Sequence, residues 1–64
     1  MIIAYTRIDK SQDVLIKKIK NMYSVEYRID LNIITKELFK TFFGAEKFYS
    51  NWVQFLFRQG EDYE

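Results

Sequence analysis

The chain has 64 residues, enough for one domain (1–64) and no room for a second. It contains no Cys and no His, which excludes disulfides, thiolate sites and histidine-bound zinc, so neither a metal nor a cofactor is expected. The formal net charge of +1 neither announces nor excludes a nucleic-acid partner, because the placement of the charges decides that.

A core this small supplies little stability by itself, about 3–5 kcal/mol. The chain offers two remedies. Six Phe, five Tyr and one Trp can form a dense aromatic core. Association into a homodimer is the other option. Three of the nine acids, Glu61, Asp62 and Glu64, fall in the last four residues. The rest of the chain is mildly basic, with ten basic residues against six acidic. The run Ile2-Ile3-Ala4 is broken by Arg7 and has no basic leader, so no signal peptide is expected. No apolar stretch approaches the ~20 residues of a membrane span. The expected address is the cytoplasm, with no membrane partner. Heavy use of Ile, Lys, Phe, Tyr and Asn suits an AT-rich genome such as that of a phage, a plasmid or a low-GC bacterium; for a phage protein the address is the host cytoplasm.

In chain order, residues 2–8 are β-branched and aromatic and predict a strand. Asp9 and Gln12 have the spacing of a capping box. After them Leu15, Ile16, Ile19, Met22 and Tyr23 recur at helical spacing, which predicts a helix over 10–22. Lys10, Lys17, Lys18 and Lys20 would lie on its other face, as solvated surface or as phosphate contacts. Val25 to Leu31 alternate strictly, predicting a half-buried strand within 24–31 with Val25, Tyr27, Ile29 and Leu31 inward. Leu38, Phe39, Phe42 and Phe43 predict a helix over 34–43, ended by Gly44 as its C′ glycine. A third helix is predicted over 46–58, followed by Gly60. Trp52 would be buried at the centre of the packing between these two helices.

On a helical wheel Lys47, Ser50, Asn51, Gln54 and Arg58 share an arc of roughly 100°. These residue types can read base edges and grip phosphates. They are also what any amphipathic helix shows to water. Lys36 and Lys40, on the preceding helix, would steady the DNA backbone. Eight aromatics lie between Phe39 and Phe57, more than one small face hides, so some should be exposed and mark an interface. Phe55 and Phe57 flank the apolar side and are the candidates. No catalytic residue is expected. There is no His for acid–base work, no paired carboxylates on one element, and two isolated glycines make no phosphate loop.

Three steps in the second half carry a resemblance: Lys36-Glu37-Leu38, Tyr49-Ser50-Asn51-Trp52 and Gly60-Glu61-Asp62-Tyr63. In this order and spacing they resemble the N-terminal domain of phage antirepressors of the AntA type, over residues 33–64. Family members carry a helix opening on a basic–acidic–Leu step, a short turn, an aromatic-x-x-Trp helix and a Gly-x-Asp-aromatic exit. The resemblance implies a phage regulator of transcription. The first half, Ile2 to Arg7 followed by a helix, is similar to the start of a serine recombinase domain. Asp9 stands where that family has its nucleophilic Ser, so a shared strand–helix grammar is the better reading.

The fold expected from these elements is α+β, a β-α-β-α-α order with a two-stranded sheet and a C-terminal helix-turn-helix-like pair. Two functions follow. One is a regulator reading double-stranded DNA through Lys47, Ser50, Asn51, Gln54 and Arg58, with Lys36 and Lys40 behind. The other is a protein-binding antagonist or inhibitor docking through Phe55, Phe57 and the acidic tail.

Overall fold

Three reversals turn the first 39 residues into a meander. The computed structural model describes residues 1–61, with side-chain surroundings through Arg58. Its elements are β1 (Ile2–Arg7), β2 (Gln12–Ile19), β3 (Met22–Ile29), β4 (Asn32–Phe39) and α1 (Phe42–Glu61). The strands form one antiparallel sheet in the order β1-β2-β3-β4. The helix lies across one face of it.

This corrects the β-α-β-α-α order. The helix expected over 10–22 is β2 and the hairpin turn after it. Its residues Asp13, Val14, Leu15 and Ile16 are all buried, because β2 is a central strand with side chains inserted on both faces. Burial on both faces erases the period-2 signal and leaves apolar spacings that mimic a helix. The helix expected over 34–43 is β4. Ile33, Ile34 and Thr35 are β-branched and favour the pleat. Leu38 and Phe39 face opposite sides of the sheet, Leu38 beside Ser24 and Phe39 beside Tyr23. The strands expected to pair, β1 and the one over 24–31, are separated by β2. The described residues form one helix and no helix-turn-helix pair.

The helix expected over 46–58 is present and starts earlier, at Phe42. Thr41 is its N-cap: the Gly44 amide donates to Thr41 Oγ1 at 3.2 Å, and the Ala45 amide to the Thr41 carbonyl at 3.3 Å. Gly44 therefore opens this helix and does not close another. Gly60 lies within α1. Asp62 and Tyr63 of the antirepressor-like exit, and the acidic tail beyond Glu61, lie outside the described residues.

Asp9 caps as its spacing predicts, but it caps a loop. Its carboxylate accepts from the Ser11 and Gln12 amides at 2.9 and 2.8 Å and from Gln12 Nε2 at 2.6 Å. These bonds hold the Asp9 carboxyl below its usual range, the two backbone amides contributing most. The chain then enters β2. The Asp30 amide donates to the Ser11 carbonyl at 2.7 Å and ties this loop to the β3–β4 turn.

The core lies between the helix and one sheet face. Val14, Ile16, Val25 and Ala45 are fully buried there. Around them Phe48, Trp52 and Phe55 stack in sequence along the helix, at 6.3 and 5.8 Å between centroids. Trp52 meets Tyr27 edge-on at 5.6 Å, so it packs on the sheet and not on a second helix. Tyr49 bonds through its hydroxyl to Thr6, anchoring α1 to the far edge strand.

Two hairpins close with two-residue turns, Lys20-Asn21 and Asp30-Leu31. Lys20, Asp30 and Leu31 adopt φ of 55°, 53° and 68°. Such values are what hairpin turns of this length require and what Asn or Gly supplies cheaply. Leu31, expected inward on the strand, is instead 75% exposed at a turn tip. A left-handed Leu costs about 1–2 kcal/mol, while glycine's extra unfolded-state freedom costs about 0.5–1. Leu31→Gly should therefore raise stability by roughly 0.5–1 kcal/mol, seen as a melting temperature several degrees higher. A lower melting temperature would show that the Leu31 side chain contributes packing that outweighs the strain.

Candidate functional site

Strand register decides which charges meet. On the sheet face away from the helix, Tyr5, Leu15, Glu26 and Lys36 form one row across the four strands. The next row, toward the β1–β2 loop, is Arg7, Asp13, Arg28 and Ile33. No layer of the described residues covers this face, yet Leu15 is fully buried in it and Glu26 is 1% exposed. Glu26 and Arg28 are not the freely solvated positions that strict alternation predicts. Arg28 donates to both oxygens of Asp13, at 2.7 and 2.8 Å. Tyr5 adds a hydroxyl donor at 3.1 Å. Glu26 lies 3.7 Å from Lys17 Nζ and accepts from Ser24 Oγ at 3.4 Å. Both acids are sunk: Asp13 is partnered at both oxygens, whereas Glu26 Oε1 accepts no hydrogen bond and has only the Lys17 ion contact, with Lys17 reaching toward solvent.

The β2–β3 hairpin concentrates the remaining positive charge. Lys17 and Lys18 stand opposite Ser24 and Tyr23, and Lys20 is in the turn. Lys40 follows Phe39, the partner of Tyr23. Lys36 comes up from β4 on the open face. The Met1 ammonium reaches the Lys18 carbonyl at 3.3 Å, and the Lys18 amide returns a bond to the Met1 carbonyl at 2.8 Å. Lys18 also sits 5.7 Å from the Tyr23 ring centroid. Five of the seven lysines therefore share one end of the molecule. Glu37 and Glu46 are on the helix side, away from the open face.

Two of these lysines, Lys20 and Lys36, flank an open depression of ≈ 500 Å³, lined also by Ile19, Asn21, Met22 and Leu38. Ile19 and Leu38 are 41% and 53% exposed. A second depression, of ≈ 420 Å³, lies at the opposite end beside Arg7, Asp9, Lys10, Asp13 and Leu31; its lining mixes both charge signs.

The residues expected to read DNA divide between elements. Lys47, Ser50, Asn51, Gln54 and Arg58 are all exposed on the outer side of α1. At 100° per residue, Phe43 falls within the same arc and Phe57 borders it, which breaks its polarity. Lys36 and Lys40 are not on a helix beside it; Lys36 is in β4 and Lys40 just after it, since the helix meant to carry them does not form. Phe55 and Phe57 are each about half exposed, but they lie on opposite flanks of α1 and do not make one surface. Phe55 is part of the Trp52 stack. The lysine-rimmed depression was missed because Lys17, Lys18 and Lys20 read as one face of a helix. The signal that could have found it is Ile19-Lys20-Asn21-Met22, a two-residue turn between apolar residues.

Among the described residues, no group of three or more acidic side chains could hold a metal ion, and no helix is long and apolar enough to cross a membrane. Compared with known protein families, curated proteins and solved structures, the chain matches none.

The Asp13–Arg28 pair, at the opposite end of the sheet, gives the fold an acid limit. The guanidinium bonds of Arg28 hold the Asp13 carboxyl below its usual range, against the opposing effect of burial, and Tyr5 assists. A depressed carboxyl stabilises the fold fully above its ordinary range, and the contribution is lost as pH falls through that range toward the lowered value. Asp9 acts in the same direction. Asp13→Asn should flatten the fall in stability between neutral and strongly acidic pH, with the remainder carried by Asp9. An unchanged slope in urea melts across that window would show that Asp13 gains nothing from Arg28.

Proposed function

We propose that this chain is a small protein-binding module whose docking surface is the lysine-rimmed apolar end at the β2–β3 hairpin. The observation that carries this reading is the pairing of exposed Ile19 and Leu38 with Lys20 and Lys36 around one depression. Exposed apolar side chains within a charged rim are the usual composition of an interaction site. The acid in register with Lys36, Glu26, is buried beside Lys17 and Ser24. The surface therefore suits a partner segment that is acidic and aliphatic together. It also fits the antagonist role in kind, by a different surface from the aromatic pair Phe55 and Phe57.

The DNA-reading alternative has less support. The outer arc of α1 offers Asn51 and Gln54 for bases, but only Lys47 and Arg58 as cations. Specific duplex binding draws much of its affinity from several phosphate contacts. Of the other six lysines, five sit at the hairpin end of the sheet and Lys10 at the opposite end. The antirepressor likeness stays a proposal resting on three short steps, the first of which lies in β4 here and not at a helix start.

The test is an anisotropy titration against three probes: a twelve-residue peptide alternating Glu and Leu, a random 20-base-pair duplex, and phosphatidylserine vesicles. The peptide should bind saturably and tighter than either of the others. The double variant Lys20→Ser, Lys36→Gln should bind it roughly 3–30-fold more weakly, as expected for losing two rim charges worth about 0.3–1 kcal/mol each. Tighter binding to duplex than to peptide, with a steep salt slope, would overturn the reading in favour of DNA.

A further inference from the structure

Strand order leaves β4 as an edge. Its eight residues pair with β3 on one side only, so a row of backbone amides and carbonyls on the other side has no strand partner among the described residues. Sheets usually blunt such an edge with charge, proline or a covering element. β4 has no proline, and its blunting charges are one Lys and one Glu, neighbours on opposite faces. The same strand supplies Lys36 and Leu38 to the wall of the lysine-rimmed depression.

We propose that β4 accepts an extended segment of a partner protein as a fifth strand, with an acidic residue opposite Lys36 and an aliphatic residue opposite Leu38. This rests on the docking surface proposed above and states how the partner lies on it. Lys36 and Leu38 are two apart on the open face, so the partner needs its carboxylate and its aliphatic side chain two apart as well. Backbone bonds along the strand give affinity, and the alternate side chains on the open face give selectivity.

A second copy of this chain is a poorer occupant. Antiparallel self-pairing centred on Lys36 sets Lys36 against Lys36. Centring on Glu37 sets Glu37 against Glu37, and centring on Leu38 sets Lys36 against Lys40. Like charges directly opposite are destabilising. Centring on Thr35 avoids this but runs into the irregularity at Ile34, where the β3–β4 register shifts. An acidic strand from elsewhere meets no such clash.

The test begins with panning a displayed library of twelve-residue peptides on the full chain at low and moderate salt. Enriched peptides should carry Asp or Glu two residues from Leu, Ile or Val. The best one is then synthesised with single N-methyl groups along its backbone. Methylating every second amide, those facing β4, should weaken binding about tenfold or more, while methylating the intervening amides should change it little. Bound peptide should also slow hydrogen exchange at alternate β4 amides that exchange freely in its absence. Leu38→Ser, a change at a half-exposed position, should lower affinity for the same peptide with the fold retained. A peptide that binds at the lysines but tolerates N-methylation at every position overturns strand addition and leaves the docking surface standing. Failure of any acidic–aliphatic peptide to enrich overturns both.

Discussion

A four-stranded sheet has two faces, and the described chain supplies one helix to cover them. The covered face follows ordinary rules: Val14, Ile16 and Val25 meet Ala45 and the aromatic stack of α1. The uncovered face has to make its own shelter from long side chains. Leu15 is fully buried there between the in-register neighbours Tyr5 and Glu26. Asp13 and Glu26 lie low and are matched by Arg28 and Lys17. Buried charge of this kind is tolerated only when partnered, and removing one partner costs more than the pair contributes. The face that lacks a helix is therefore organised by ion pairs, and this arrangement leaves the surface positive.

The hairpin turns the same constraint into a site. Toward the β2–β3 turn the acids run out while the lysines continue, and Ile19, Met22 and Leu38 are left with no layer above them. At the opposite end Asp9, Asp13 and Asp30 lie among Arg7, Lys10 and Arg28, and the charges balance locally. A net charge of +1 thus conceals an uneven distribution along the long axis of the sheet. Composition could not show it, because antiparallel pairing is what brings Lys36 and Lys40 next to residues 17–22.

Legibility in the sequence followed burial. β1 was readable because an edge strand rich in Ile, Tyr and Thr keeps its β character. The helical run from Glu46 to Arg58 was readable because one side meets the sheet and the other meets water, which preserves the 3.6-residue period. The alternation at Val25 and Tyr27 was readable as strand, although its polar partner Glu26 is buried and not solvated. β2 was misread because Asp13 to Ile16 are buried on both faces. β4 was misread because the irregularity near Ile34 breaks its alternation and because Phe42 and Phe43, which belong to α1, extend its apolar spacing. The capping pattern at Asp9 and Gln12 was genuine chemistry in the wrong element: the amides are satisfied, but Val14, Ile16 and Ile19 after them are β-branched and the chain extends. Of the site, the lysines and the exposed apolar residues were visible one by one, and their convergence was not.

The most direct measurement is chemical-shift mapping on uniformly labelled protein titrated with a peptide alternating Glu and Leu. The account predicts that the shifted amides cluster in residues 17–22 and 36–40, with those of Lys47, Ser50, Asn51, Gln54 and Arg58 unmoved. Shifts concentrated on the outer face of α1, with the hairpin silent, would contradict it.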